Sequence, residues 1–243
     1  MPKSNLTEIW VYLAASPLLG LSITLAAYQL AYGIYRWGKG HPLLNPVAIA
    51  VGLLIGLLSL TKTSYFTYFE GAQFVHFLLG PATVSLAIPL YKQLAKLRRL
   101  WLPVTLALVV GISAAALSAI ATAALLGATP QTLLSLAPKS VTAPVAMGIT
   151  EKVGGLPSLT AVLVVMTGII GATLGTPIFR WLGIRDDSVR GIAMGITSHG
   201  IGTARAFQIS GEMGAFSGLG MALSAFVSAA LLPWLLRMLN LGA

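Results

Sequence analysis

Two short stretches carry most of the side chains in this sequence that could do chemistry. In "PKSVTAP" (residues 138–144), Lys139 directly follows Pro138 and precedes Ser140 and Thr142. A compact cation beside hydroxyls and unwound backbone amides suits a carboxylate, as does the positive end of a half-helix. The alternative for Lys139 is that its long stem snorkels to a membrane surface. In "SHGIGTAR" (residues 198–205), Ser198, His199, Thr203 and Arg205 stand among glycines. His199 can exchange a proton near neutral pH, and Arg205 can hold a carboxylate through two parallel bonds. Both stretches therefore point to recognition of a small anion. Glu151 and Glu212 are candidates for carrying a coupling proton, or else are residues of boundary loops. His76 lies in an ordinary apolar stretch and reads as structural.

Enzymatic motifs are missing. The sequence contains no HExxH, no nucleophile elbow and no Walker loop, and its three histidines are too scattered for a metal site. "GIGTAR" lacks both the preceding strand and the third glycine of a dinucleotide loop. Neither a cofactor nor a catalytic residue is expected, and the chain reads as a non-enzyme.

The elements that must position these residues are membrane helices. Of the 243 residues, 56% are hydrophobic and 9% charged, and mean hydropathy is +0.87, whereas soluble domains carry about 25% charged residues. Six uncharged stretches, 9–35, 40–61, 71–91, 100–138, 153–179 and 213–236, reach the roughly 20 residues that a spanning helix needs. None shows the short alternating pattern of a β-barrel strand. The expected fold is an all-α, polytopic membrane helix bundle with six full spans, forming a single domain over residues 1–243. The first stretch is too long for a signal-peptide core and reads as a retained helix. With no cysteine, thiol chemistry is excluded.

The net charge of +9 would suggest nucleic acid in a soluble domain. Here the basic residues collect between spans, as membrane topology requires, and no nucleic-acid partner is expected. Arg36 and Lys39 follow the first span, and Lys92, Lys96, Arg98 and Arg99 follow the third, whereas only Lys62 follows the second. The first and third loops are thus placed in the cytoplasm and the N-terminus outside, in a multi-pass protein of the cell (inner) membrane.

Between the confident spans lie two segments that match no ordinary helix. Lys139 and Glu151 enclose eleven uncharged residues, and Arg190 and Arg205 enclose fourteen. Each contains the pentamer AMGIT, at residues 146–150 and 193–197. The repeat alone is within reach of chance in so skewed a composition. Pro138 and Pro144 are expected to break the first segment and to push Ala137 and Ala143 from helical geometry. Gly191, Gly195, Gly200 and Gly202 are expected to loosen the second. Paired short, Gly/Pro-interrupted segments point to a transporter binding site. Either the segments cross the membrane or they re-enter. Re-entry puts Arg180, Arg185 and Arg190 in the cytoplasm, obeys the charge rule better, and makes each preceding helix plus its dip one half of an inverted repeat. Gly171 with Gly175, and Gly214 with Gly218, permit close helix contact within a protomer or across a homodimer.

From about residue 71 onward, "FLLGPATVSLAIPLYKQ", "LAPKSVTAPVAMGITEKVGGLPSLTAV", "TGIIGATLG" and "RGIAMGITSHGIGTARAF" resemble the LrgB/CidB family of bacterial membrane proteins. Relatives of that family include the C-terminal half of the plastid glycolate/glycerate translocator. The resemblance implies one of two roles. One is a holin/antiholin-like regulator of murein hydrolase export and cell lysis, acting with a small LrgA/CidA-like membrane protein. The other is a carrier of small monocarboxylates of the glycolate, glycerate or pyruvate type. The broken polar segments favour the carrier, with Lys139, Ser140, Thr142, Ser198, His199, Thr203 and Arg205 as its substrate-binding residues. His199, Glu151 and Glu212 are then the candidates for proton coupling.

Overall fold

The computed structural model describes residues 17–40, 44–85 and 87–241. Residues 9–16, where the first predicted span begins, lie outside them. Every regular element among the described residues is a helix, as the composition requires. Four of these helices are long and apolar enough to cross a membrane: Leu18–Trp37, Leu94–Leu125, Pro157–Trp181 and Gly211–Met238. The chain divides into two compact units, Met1–Ser85 and Leu86–Ala243.

The first unit holds α1 (Pro17–Trp37), α2 (Pro46–Thr61) and α3 (Tyr65–Ser85). Among the described residues of the stretch 40–61, expected to be a full span, the α-helix is the 16-residue α2. At 1.5 Å per residue α2 is about 24 Å long, short of a hydrocarbon core of about 30 Å. The shortening is local: Asn45 caps the helix by accepting from Val47 N and Ala48 N, and Pro46 occupies its first position. Helix α1 packs on both α2 and α3. Its Thr24 hydroxyl donates to the Gly20 carbonyl at 2.6 Å and stands 2.7 Å from the Tyr68 hydroxyl. His76 lies on α3; its side chain is outside the described residues.

The second unit holds α4 (Ala87–Lys92), α5 (Leu94–Leu125), α6 (Pro130–Leu136), α7 (Ala143–Val153), α8 (Pro157–Trp181), α9 (Asp187–Ile209) and α10 (Gly211–Met238). The stretch 100–138, expected to hold one span, contains most of a 32-residue helix that is long enough to cross, followed by the short α6. Gly127, at φ +79°, turns the chain between them. Along α5, Val104, Leu108, Ile112, Ala116 and Ile120 are buried; the four-residue spacing makes one continuous stripe. That stripe meets Ile192, Ile196, Phe216 and Leu232 of α9 and α10. In lipid such contacts stabilise by close packing rather than by excluding water.

Helix directions follow from these contacts. Lys96, near the start of α5, binds Glu212 near the start of α10, and Ile120 clusters with Leu236 near their ends. These two helices therefore run parallel. Phe179, at the end of α8, clusters with Met194 and Met213 near the starts of α9 and α10, so α8 runs the opposite way. One end of the unit gathers Lys96, Asp186, Asp187, Ser210 and Glu212. The far end gathers Leu134, Val153 and Leu236.

Candidate functional site: two broken hairpins that meet on one helix

The second broken segment is a hairpin. As a continuous helix the 23 residues of α9 would extend about 34 Å, yet Ser210 Oγ donates to Asp187 Oδ2 at 2.6 Å. The chain therefore returns to the end from which it starts. The reversal is at His199, whose φ of 41° and ψ of −132° are non-helical. The interruption expected of this glycine-loosened segment thus falls on His199, next to Gly200, whereas Gly191 and Gly195 lie within the regular first half. Added Cβ atoms there would meet Met213 and Phe216, or Ser217 and Met221, of α10, so these glycines serve close packing.

The first broken segment also folds back. Ser135, before the break, accepts the backbone N–H of Leu156, beyond it, at 2.8 Å. Its carbonyl accepts the Thr160 hydroxyl at 2.9 Å. The inbound limb is α6 followed by the irregular residues 137–142, and α7 is the outbound limb. Two expectations about its prolines are corrected. Pro144 does not break the chain but starts α7, where its missing N–H costs nothing, and Ala143 is already helical. Ala137 keeps helical angles, φ −52° and ψ −49°, as the cap of α6.

The hairpins enter from opposite ends of α8, and their tips reach the same stretch of it. Val141 and Ala146, at the first tip, pack on Val164. His199, at the second, donates Nε2–H to the Val164 carbonyl at 2.9 Å, so the proton on Nε2 is fixed by that bond. Glycines on α8 make the approach physically achievable. A Cβ at Gly168 would stand 2.6 Å from His199 Cε1 and 2.8 Å from Nε2, and one at Gly171 would overlap Ser198 Oγ. Gly171 and Gly175 therefore serve contacts with Ser198 and Met194, and Gly214 serves Phe207, within one protomer.

Around these tips the polar groups satisfy one another, as burial demands. The Thr203 hydroxyl donates to the His199 carbonyl at 2.8 Å and lies 2.9 Å from Ser217 Oγ. Ser198 is fully buried, 3.1 Å from the Thr197 hydroxyl. Lys139 is half-buried, with Nζ 3.4 Å from the buried Ser140 hydroxyl. Thr142 is the N-cap of α7 without a side-chain cap bond, leaving that half-helix end undecorated. Sequence reading did not single out Ser135, Thr150, Thr160 or Ser217. Thr150 and Thr160 are fully buried and 2.8 Å apart. Their only signal in the sequence is a small polar residue in an apolar helix.

The remaining candidates lie away from the tips. Arg205 is partly buried on the outbound limb, with Nη1 donating to Gln208 at 3.0 Å. Glu151 is exposed in the last turn of α7. Glu212 sits at the charged end, 2.7 Å from Lys96, which also binds Asp186 at 3.1 Å. Asp186 there caps α9. Hydrogen bonding from Ser188, then the Lys96 ammonium and the Val189 N–H, hold its carboxyl down at a pKa of about 2.

Comparisons with known proteins cover most of the chain. The LrgB-like family matches residues 24–238. The chain is 33% identical to the uncharacterized protein YwbG of Bacillus subtilis, over 90% of this chain and 97% of that one. It is 33% identical to the holin-like protein CidB of Staphylococcus epidermidis, over 90% and 95%. To the antiholin-like protein LrgB of Bacillus cereus it is 27% identical, also over 90% and 95%. No solved structure matches. A helical membrane protein with this match along its length belongs to the LrgB-like family.

Proposed function

We propose that this chain is a non-enzymatic, holin/antiholin-like protein of the cell (inner) membrane. In this reading it acts as one LrgB-like domain over residues 1–243, with its N-terminus outside. It works with a small LrgA/CidA-like membrane protein to modulate murein hydrolase export and lysis. The observation that carries the reading is the similarity, along nine-tenths of the chain, to a protein named holin-like and to another named antiholin-like. The test is inducible expression, with and without the small partner, in a host lacking both. Hydrolase activity in the culture supernatant and the rate of autolysis are then measured. Expression should shift both quantities; unchanged release and lysis in the two conditions would remove the proposal.

A second reading is favoured by the geometry, although the names of the relatives do not speak for it. It is a carrier of small monocarboxylates of the glycolate, glycerate or pyruvate type, working as a homodimer. Its support is the convergence of the two hairpin tips on Val164. Two half-helices start at those tips, α7 at Thr142 and the second limb of α9 after His199. Both present the positive ends of their dipoles at tips that contact Val164, where an anion would be held. The substrate contacts would come from Lys139, Ser140, Thr142, Ser198, His199, Thr203 and Arg205. His199, Glu151 or Glu212 would carry a coupled proton. In proteoliposomes, uptake of labelled glycolate or pyruvate should be lost in Lys139→Ala and in Arg205→Ala while insertion is retained. Normal uptake by both variants removes the site, and no uptake by the unaltered chain removes the carrier.

A further inference from the structure

At the charged end, a cleft of about 260 Å³ is lined by Phe179, Arg180, Gly183, Ile184, Arg185 and Arg190. A water occupies about 30 Å³, so the cleft has room for a polyatomic ligand. The local fold brings its three arginines together. Helix α8 ends with Gly183 at φ +69°, and Ile184 N–H bonds back to the Phe179 carbonyl at 2.9 Å. This left-handed closure turns the chain so that Arg180, before it, and Arg185, after it, line the same cleft as Arg190 on α9.

Of the three arginines, only Arg190 has an acidic partner among the described residues. Among the described residues, Arg180 and Arg185 have no ion-pair partner and are exposed. Asp186 is engaged by Lys96 and Ser188. Asp187 is shared between Arg190 Nη1, at 2.9 Å, and Ser210. Arg190 is held over the Phe179 ring, 5.9 Å from its centroid. Its Nε is buried and has no hydrogen-bond partner among the described residues. A buried donor left unmade is costly, and this one lies on a guanidinium that lines a cationic cleft.

We infer that this cleft binds a phosphate group, supplied either by a phospholipid headgroup or by a soluble phosphate. Guanidinium forks match the geometry and charge of phosphate oxygens. If instead these arginines serve only to orient the chain in the membrane, the cleft has no need of a specific ligand.

The test uses the purified full chain in a neutral detergent. Its thermal midpoint is followed with inorganic phosphate at constant ionic strength, and separately with phosphatidylglycerol against phosphatidylcholine in mixed micelles. The unaltered chain should be raised, with saturation, by at least one of the two phosphate sources. The apparent affinity should fall at least tenfold in Arg180→Gln/Arg185→Gln. Arg185→Gln alone, in the exposed connection, provides a second variant should the double one fold poorly. A response to inorganic phosphate assigns a soluble ligand, and a response to phosphatidylglycerol alone assigns a lipid headgroup. No rise with either source, or equal affinity in the folded variants, overturns the inference.

Discussion

The two AMGIT copies should answer the same substitution in opposite ways. Gly148 in the first copy has nothing within 4 Å of where a Cβ would stand, whereas Gly195 in the second lies against the backbone of α10. A Cβ at Gly195 would be 2.8 Å from Met221 N and 3.0 Å from the Ser217 carbonyl carbon, and nearer still to the Ser217 oxygen. Ordinary contact begins at 3.4 Å, so α10 must retreat by at least about half an ångström. No side-chain rotation can relieve a clash with main chain. In both positions alanine gains about 1 kcal/mol of helix propensity. At Gly195 overpacking costs about 1–3 kcal/mol. Gly148→Ala should therefore be neutral or stabilising by up to about 1 kcal/mol, and Gly195→Ala should lie about 1–3 kcal/mol below it. The assay is reversible unfolding in mixed micelles with increasing sodium dodecyl sulfate, followed by far-ultraviolet circular dichroism. Equal stability of the two variants would refute the assignment of Gly195 to a packed interface.

Three further outcomes are expected. At His199, where φ is 41°, alanine keeps the strained backbone and loses the bond to Val164. Glycine loses the bond but relieves strain of about 1–3 kcal/mol; the same unfolding assay should rank His199→Gly above His199→Ala, and the reverse order would deny that the hairpin turn is strained. Ser135→Ala removes the acceptor of Leu156 N–H and should cost about 1–3 kcal/mol; an unchanged midpoint would show that the first hairpin is not tied at this point. Because the Asp186 carboxyl is held down at a pKa of about 2, below the unfolded value of about 3.9, its contribution is fully present above pH 4. It is lost as pH falls through 2. Ser188→Ala, which removes the largest cause, should narrow that window in an acid titration of the thermal midpoint, and an unshifted profile would contradict the hydrogen bond from the Ser188 hydroxyl to Asp186.

Much of the site was legible because membrane depth penalises irregular backbone and charge. Prolines, glycines and hydroxyls in so apolar a chain stand out, and they marked both interruptions. The exact break points were not legible. Pro144 as a helix start and Pro138 as an interruption differ only in what precedes each, and a histidine taking the left-handed turn in place of an adjacent glycine is settled by its bond to Val164. The ends of the helices within 40–61 and 100–138 were not legible either, since hydropathy registers apolar length but not a cap such as Asn45 or a turn such as Gly127.

The sequence by itself determined an apolar helical protein of the membrane, the two polar interruptions and the side chains beside them. Only the tertiary structure decided that both interruptions are hairpins returning to their own ends. It also decided that their tips converge on Val164, and that one AMGIT lies on an outbound limb and the other on an inbound one. The physical reason is that a helix break states where regular hydrogen bonding stops but not where the chain goes next. That direction is set by partners distant in sequence, here Leu156 for Ser135 and Ser210 for Asp187.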